Sequence, residues 1–197
     1  MSKSESASSK RERRKTIRWV VTIFIVTMFV SGAITFFSDE IMDVSPVWTA
    51  FVILLAIVLI GIVFDIIGVA VTSAVEKPFH SMAARKVPGA LESIRLLRNA
   101  ERVSSICNDV VGDICGVVSG SASATIAAQV LQNFEPKWEN VVPLVMSALV
   151  AGLTVGGKAV GKTFAIKSCT SIVFGVGRLI YVIRHIPMLF NRKKSDR

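Results

Sequence analysis

One stretch of the chain has the spacing of a phosphate-binding loop. Residues 156–163 read GGKAVGKT, in which Gly156 is followed by four residues and then by Gly161, Lys162 and Thr163. In nucleotide-binding proteins this pattern forms a loop between a buried strand and a helix, and its backbone amides and lysine bind phosphate. Taken alone, the pattern predicts nucleotide binding.

Four polar residues inside long apolar stretches have the chemistry of a cation site: Asp65, Asn108, Asp109 and Asp113. Carboxylates at membrane depth are costly, so they face a bundle interior, pair with a cation or become neutral. Asp65 lies eleven residues before Glu76, and Asp113 lies eleven after Arg102. At ~1.5 Å per residue, both carboxylates sit ~16 Å from the ends of their helices, near mid-bilayer. Oxygen-rich surroundings suit hard cations such as Mg²⁺.

Composition indicates the elements that must position these residues. The chain has 197 residues, of which 52% are hydrophobic, with a net charge of +9 and a mean hydropathy of +0.59. Apolar blocks separated by basic residues are typical of integral membrane proteins. The stretches long enough to cross a bilayer, which takes ~20 apolar residues, are 16–37, 46–74, 104–134 and 141–157. No strand-type alternation appears, so we expect an all-α membrane fold with four transmembrane helices.

Basic residues orient that fold. Seven lie up to Arg18, six between Lys77 and Arg102, and nine from Lys158 onward, whereas Lys137 is the single one in a segment assigned outside. The positive-inside rule then places both termini and the 75–103 segment in the cytoplasm, and predicts a multi-pass protein of the cell membrane. A cleaved signal peptide is the alternative interpretation of the first apolar stretch.

The predicted topology argues against a phosphate loop at 156–163. The residues before it are the end of a membrane span rather than a buried strand, and 34 residues after Thr163 are too few for a nucleotide-binding fold. We therefore expect a Gly-rich exit from the fourth span and no bound nucleotide. No Ser/His/Asp or Cys/His arrangement appears, and we expect neither enzymatic activity nor nucleic-acid binding.

The third span has small residues at every fourth position, a ridge typical of close helix packing: Gly112, Gly116, Gly120, Ala124 and Ala128. After Lys162 the sequence is amphipathic, which predicts a helix at the inner membrane interface. The predicted organisation is a disordered basic tail over 1–15, an extra helix over 16–37, a membrane domain over 46–187 and a basic tail over 188–197.

The stretch 73–113 resembles the transmembrane domain of CNNM/CorB/CorC-type magnesium transport proteins. Ser73, Ala74 and Glu76 match the family's Ser-Ala/Gly-Ser-Glu-Thr-Ala motif, "LLRNAER" resembles the end of its cytoplasmic helical hairpin, and "NDVVGD" aligns with Gly-Asn-x-x-Val-Asn. "GKAVGK" aligns with Gly-Glu-Ile-x-Pro-Lys and keeps Gly157 and Lys162. The resemblance covers roughly residues 50–187. It implies a metal site from Asp65, Ser73, Asn108, Asp109 and Asp113, with Glu76 nearby.

Departures from the family pattern leave two functions open. Lys158 stands where the family has a glutamate of the magnesium site, Asp109 and Asp113 stand where it has asparagines, and the nucleotide-binding CBS pair is absent from this chain. One hypothesis is Mg²⁺ transport or sensing by the buried carboxylates. The other is a non-transporting scaffold or subunit in which the Asp and Lys residues are structural. The partners expected are the lipid bilayer, a second copy as the resemblance implies, and a partner membrane or CBS-containing subunit.

Overall fold

The structure is a computed structural model that describes residues 3–44, 46–132 and 138–195, and the side chains of 13–14, 16–38, 40–41, 46–132 and 138–185. Within these residues the secondary structure is helical and contains no strand. The elements are α1 Lys3–Val44, α2 Val47–Ser73, α3 Lys77–Ala84, α4 Ala90–Arg98, α5 Ala100–Ser105, a π-helix Ile106–Gly112, α6 Asp113–Leu131, α7 Val141–Lys167 and α8 Cys169–Ser195.

Four helical stretches are long and apolar enough to cross a membrane, which confirms the number and order of the predicted spans. They are Thr16–Ser38, Val47–Ser73, Ala100–Leu131 and Val141–Lys167. The third is a composite of α5, the π-helix and α6. Lys137, which the charge pattern assigned to the outside, lies beyond the described residues.

Two boundaries differ from the sequence prediction. The fourth apolar helix does not end near residue 157 but continues to Lys167, because Gly161 and Ala165 are buried and keep the later turns packed. Helix α1 begins at Lys3, within the segment 1–15 that was expected to be disordered. Residues 10–15 are all Lys, Arg or Glu, and the helix propensities of these residues favour extension of the span.

Two short helices, α3 and α4, follow the second span. Gly89 joins them with φ +91, and any side chain there would collide with the Arg178 backbone of α8, since an added Cβ would lie 2.6 Å from Arg178 Cα. Ser93 Oγ donates to the Gly89 and Val173 carbonyls at 2.9 and 3.2 Å. α8 is therefore fixed against α4 by a crossing in which the two backbones nearly touch.

Helix α2 joins two apolar clusters. One contains Ala70 and Val71 with residues of α3, α4, α7 and α8, and the other contains Leu54 and Val58 with residues of α6. Between them, over residues 61–68, the face of α2 toward the third apolar helix has two glycines and Asp65. Ile62 and Ile66 of the same segment pack against α7, so the polar residues of this level lie on one side of α2 only.

Cysteine labelling tests the charge-based orientation, which rests on the sequence. In a background without native cysteines, Glu40→Cys and Glu139→Cys should react with a membrane-impermeant maleimide from outside intact cells. Arg85→Cys should react only after permeabilisation. All three positions are exposed, so accessibility in the fold does not limit labelling. Reaction of Arg85→Cys in intact cells would show that the orientation is opposite to the predicted one.

Candidate functional site

One face of α2 points at the third apolar helix. Gly61, Asp65, Gly68 and Thr72 are spaced by four, three and four residues, so they share a face of the helix. An added Cβ at Gly61 would lie 2.9 Å from Cys115 Cβ, and one at Gly68 would overlap Asn108 Oδ1. Asp65 is half-buried and lies between these two contacts.

Asn108 closes the gap between α2 and the π-helix. Its amide packs on the Gly68 backbone, where no side chain larger than hydrogen fits. Its Nδ2 donates to Ser104 Oγ at 3.3 Å. Its Oδ1 is buried without a hydrogen-bond partner. A buried carbonyl oxygen without a hydrogen-bond partner lowers the stability of the fold. Packing on Gly68 holds the Asn108 amide in place, and its Oδ1 remains an unused hydrogen-bond acceptor inside the bundle.

The π-helix contains two of the predicted site residues, Asn108 and Asp109, and Asp113 follows directly after it. Short π-helices inside α-helices are rare and frequently occur at functional sites. The extra residue per turn changes which side chains face α2. Asn108 and Cys115 lie on that side and Gly112 faces Lys158 of α7, whereas Asp109 and Asp113 are exposed.

Lys158 points into the bundle rather than toward the surface. Its Nζ lies 3.5 Å from the position that a Cβ of Gly112 would occupy, and the Cys107 carbonyl lies 3.4 Å from the same point. The side chain is half-buried. Lys158 therefore brings a positive charge to the end of the π-helix.

The phosphate-loop pattern lies entirely within α7. Gly157 and Gly161 are packing positions: an added Cβ at Gly157 would overlap Ile62 Cδ1, and one at Gly161 would lie 2.8 Å from Ile66 Cγ1. Gly156, the first residue of the pattern, has open space around it. Glycines four residues apart thus bring α7 against α2, and the stretch does not form a loop.

A polar cavity of about 590 Å³ lies between the first turns of the Thr16–Ser38 span of α1, the end of α2 and the α5–π-helix segment. We call it the vestibule. Its lining combines two carboxylates, one guanidinium, four hydroxyls and one indole: Glu101, Asp109, Arg102, Thr16, Thr72, Ser104, Ser105 and Trp19. Thr72 is one turn from Gly68, so the vestibule reaches the α2 face that Asn108 closes.

Among the described side chains, Arg102 is the single cation lining the vestibule, and it stacks on an aromatic ring. Its guanidinium carbon lies 5.7 Å from the Trp19 ring centroid, within the range of a cation–π interaction. Arg102 forms none of the ion pairs found within 4.0 Å among the described side chains. Trp19 of α1 therefore holds the Arg102 guanidinium. The carboxylate oxygens of Asp109 and Glu101 remain available to a ligand.

The other predicted site residues are dispersed. Ser73 ends α2 and is exposed. Glu76 Oε2 lies 3.0 Å from His80 Nε2 and 3.9 Å from Arg98 Nε, in the α3–α4 region. Across the described side chains, no three His, Cys, Asp or Glu residues form a group able to bind one ion. The structure thus does not gather Asp65, Asp109 and Asp113 into one three-carboxylate group.

Sequence reasoning missed most of the vestibule lining. Glu101 entered the prediction only as part of a family motif, Arg102 as part of that motif and as a basic residue near the end of a span, and Trp19 as part of an apolar span. Aromatic and basic residues near the ends of spans are typical of the membrane–water interface. The contact between Trp19 and Arg102, however, follows only from knowing which helices are neighbours.

Comparisons with family models, with curated proteins and with solved structures find no match for this chain. The resemblance to the CNNM/CorB/CorC transmembrane domain therefore remains a prediction from the motifs alone.

The Asn108–Gly68 contact predicts a measurable steric cost. Gly68→Ala should lower the unfolding free energy in detergent by ~1–3 kcal/mol, as overpacking does, although alanine favours helix by up to ~1 kcal/mol. Gly156→Ala is the matched control, because a Cβ there meets nothing within 4 Å. Adding Asn108→Ala should restore most of the loss. Equal stability of the two alanine variants would contradict the close approach.

Proposed function

We propose that this chain is a multi-pass membrane protein that binds a divalent cation, Mg²⁺ first, in the vestibule, and that it senses the ion rather than conducts it. The observation that supports the proposal is the oxygen-lined cavity that ends on the π-helix. Mg²⁺ keeps several of its waters and typically binds through one or two carboxylates. Asp109 and Glu101, with the hydroxyls of Thr72, Ser104 and Ser105, fit that requirement, and the cavity is large enough for a hydrated ion.

Two features beyond the vestibule favour sensing over conduction. Asn108 packs on Gly68 and closes the α2 interface directly behind the cavity. Past that contact, the Lys158 ammonium lies beside Gly112, where a second positive charge would be repelled in a medium of low dielectric constant. A cation that enters from the α1–α5 end thus meets a closed contact and a fixed charge. By the charge-based orientation, that end is cytoplasmic.

One observation favours the second candidate, a non-transporting scaffold or subunit. Lys158 places a positive charge where the family that this chain resembles has an ion-binding carboxylate. In this alternative the lysine stabilises the bundle and the vestibule binds no metal. The two candidates differ in one measurable property, which is stabilisation by Mg²⁺.

Mg²⁺ should stabilise the folded protein through Asp109. A ligand that binds only the folded state adds RT ln(1 + [L]/Kd), which is ~2.7 kcal/mol at ~100-fold above Kd. Thermal unfolding in detergent, with MgCl₂ titrated against NaCl at matched ionic strength, should show this as a rise in Tm. Asp109→Asn should abolish the rise.

Asp113→Asn is the matched control, since Asp113 is an exposed carboxylate one turn away that does not line the vestibule. It should leave the Mg²⁺-dependent shift intact. No shift in the native chain would retire the cation hypothesis in favour of the scaffold. Loss of the shift in both variants alike would show a nonspecific effect of negative charge.

The Arg102–Trp19 contact should tune cation affinity. Trp19→Leu releases the guanidinium toward Asp109 and Glu101, and should weaken Mg²⁺ binding about two- to fivefold, the equivalent of a cation–π interaction of ~0.5–1 kcal/mol. Arg102→Gln should strengthen binding, and Trp19→Leu should then have no further effect. Arg98→Gln, which removes an arginine outside the vestibule, is the control. If Trp19→Leu weakens binding equally with and without Arg102, the indole acts only through packing.

A further inference from the structure

One face of the α6 region remains unpartnered within the described bundle. The residues Asp113, Val117, Gly120, Ala124 and Ala128 are all exposed, and their spacing places them along one stripe of the helix. The predicted small-residue ridge is therefore divided. Gly112 is buried, whereas an added Cβ at Gly116 or Gly120 would meet nothing within 4 Å. The outer part of the ridge does not pack against this chain's own helices.

A groove of about 320 Å³ runs beside this stripe, between α6 and α7. Besides Val150 and Val155, its lining consists of small and hydroxyl-bearing residues, among them Gly116, Gly120, Ser123, Ser147, Ala151 and Thr154. Ser123 and Thr154 donate to carbonyls of their own helices at 3.0 and 2.8 Å. These two hydroxyl groups therefore already have hydrogen-bond acceptors within the chain. The small side chains of the groove allow the backbone of another helix to approach closely.

A charge marks the inner end of the groove. Asp113 lies one turn before Gly116 on the same side of α6, and its carboxylate is exposed. Among the described side chains, no cation lies within 4.0 Å of it. Lys158 is directed toward Gly112 and remains half-buried. Asp113 lies ~16 Å along the helix from Arg102, a depth at which a bare carboxylate facing lipid is expensive. A cover that brings a positive charge would offset this cost by pairing with the carboxylate.

A second copy of this chain is a poor cover. Two copies in one membrane are related by a two-fold axis along the membrane normal, which brings residues of equal depth together. Pairing through this stripe would place Asp113 opposite Asp113, and like charges at close range disfavour association. A helix with a basic residue at that depth pairs with the carboxylate instead.

We propose that the α6–α7 groove binds one transmembrane helix of another protein, with small residues facing the groove and a lysine or arginine at the depth of Asp113. This interaction is independent of the vestibule, because Asp113 and the groove residues do not line it.

A synthetic helix tests the proposal. The probe is a 24-residue Leu/Ala peptide with glycines at four-residue spacing and one lysine at its midpoint, so that either orientation offers the lysine near mid-bilayer. A second peptide replaces the lysine with leucine. Association is measured by energy transfer in phosphatidylcholine vesicles, between a labelled peptide and the full chain labelled at Glu139→Cys in a background without native cysteines.

The lysine peptide should bind at least tenfold more tightly than the leucine peptide. Asp113→Asn should remove that difference, and Gly120→Leu should abolish binding of both peptides by filling the groove. Gly152→Leu is the matched control, because Gly152 also has open space around it and does not line the groove. Unchanged Tm values of all variants will show that the fold is intact.

Three outcomes would overturn the proposal. Equal binding of the lysine and leucine peptides would show that Asp113 does not select a basic partner helix. Normal binding to Gly120→Leu would place the peptide elsewhere. Self-association of the chain without peptide, lost in Gly120→Leu and kept in Gly152→Leu, would assign the groove to a second copy.

Discussion

The close approach of α2 to the π-helix is the contact on which the rest of the bundle depends. α2 packs against α6, α7, α8 and the π-helix, and at its middle it has glycine where a larger residue would push the π-helix away. Gly68 admits the Asn108 amide and Gly61 admits Cys115. Because protein interiors are close-packed and do not deform continuously, this approach also sets where Asp65 and Lys158 lie.

Several polar groups lie beside that contact, between the two apolar clusters of α2. The apolar clusters at the two ends of α2 stabilise the bundle, while the middle holds an unpaired amide oxygen, a half-buried carboxylate and a lysine ammonium. Groups of this kind reduce stability when they lack partners. Asn108 lies in the π-helix, and Lys158 Nζ lies beside its last residue, Gly112. Short π-helices of this kind frequently occur at functional sites.

Two surfaces divide the acidic residues of the third apolar helix between them. Asp109 opens into the vestibule, whose single arginine is held by Trp19 of α1, and Asp113 opens onto the stripe beside the α6–α7 groove. Residues four apart on a regular helix would share one face, which is why the sequence suggested a common cation site. In the structure the two carboxylates have different neighbours. Asp109 lies near α1, and Asp113 lies near the groove between α6 and α7.

The sequence by itself determined the four apolar helices, because length and hydropathy suffice when every backbone group must be paired within its own helix. It also argued correctly that GGKAVGKT is not a phosphate loop, since the preceding apolar span leaves no place for a strand. Only the tertiary structure decided that Gly157 and Gly161 pack against Ile62 and Ile66, that Lys158 turns inward, and that Trp19 meets Arg102. These features depend on which helices are neighbours and on how they are rotated. Hydropathy does not encode either, because lipid and protein interiors are equally apolar.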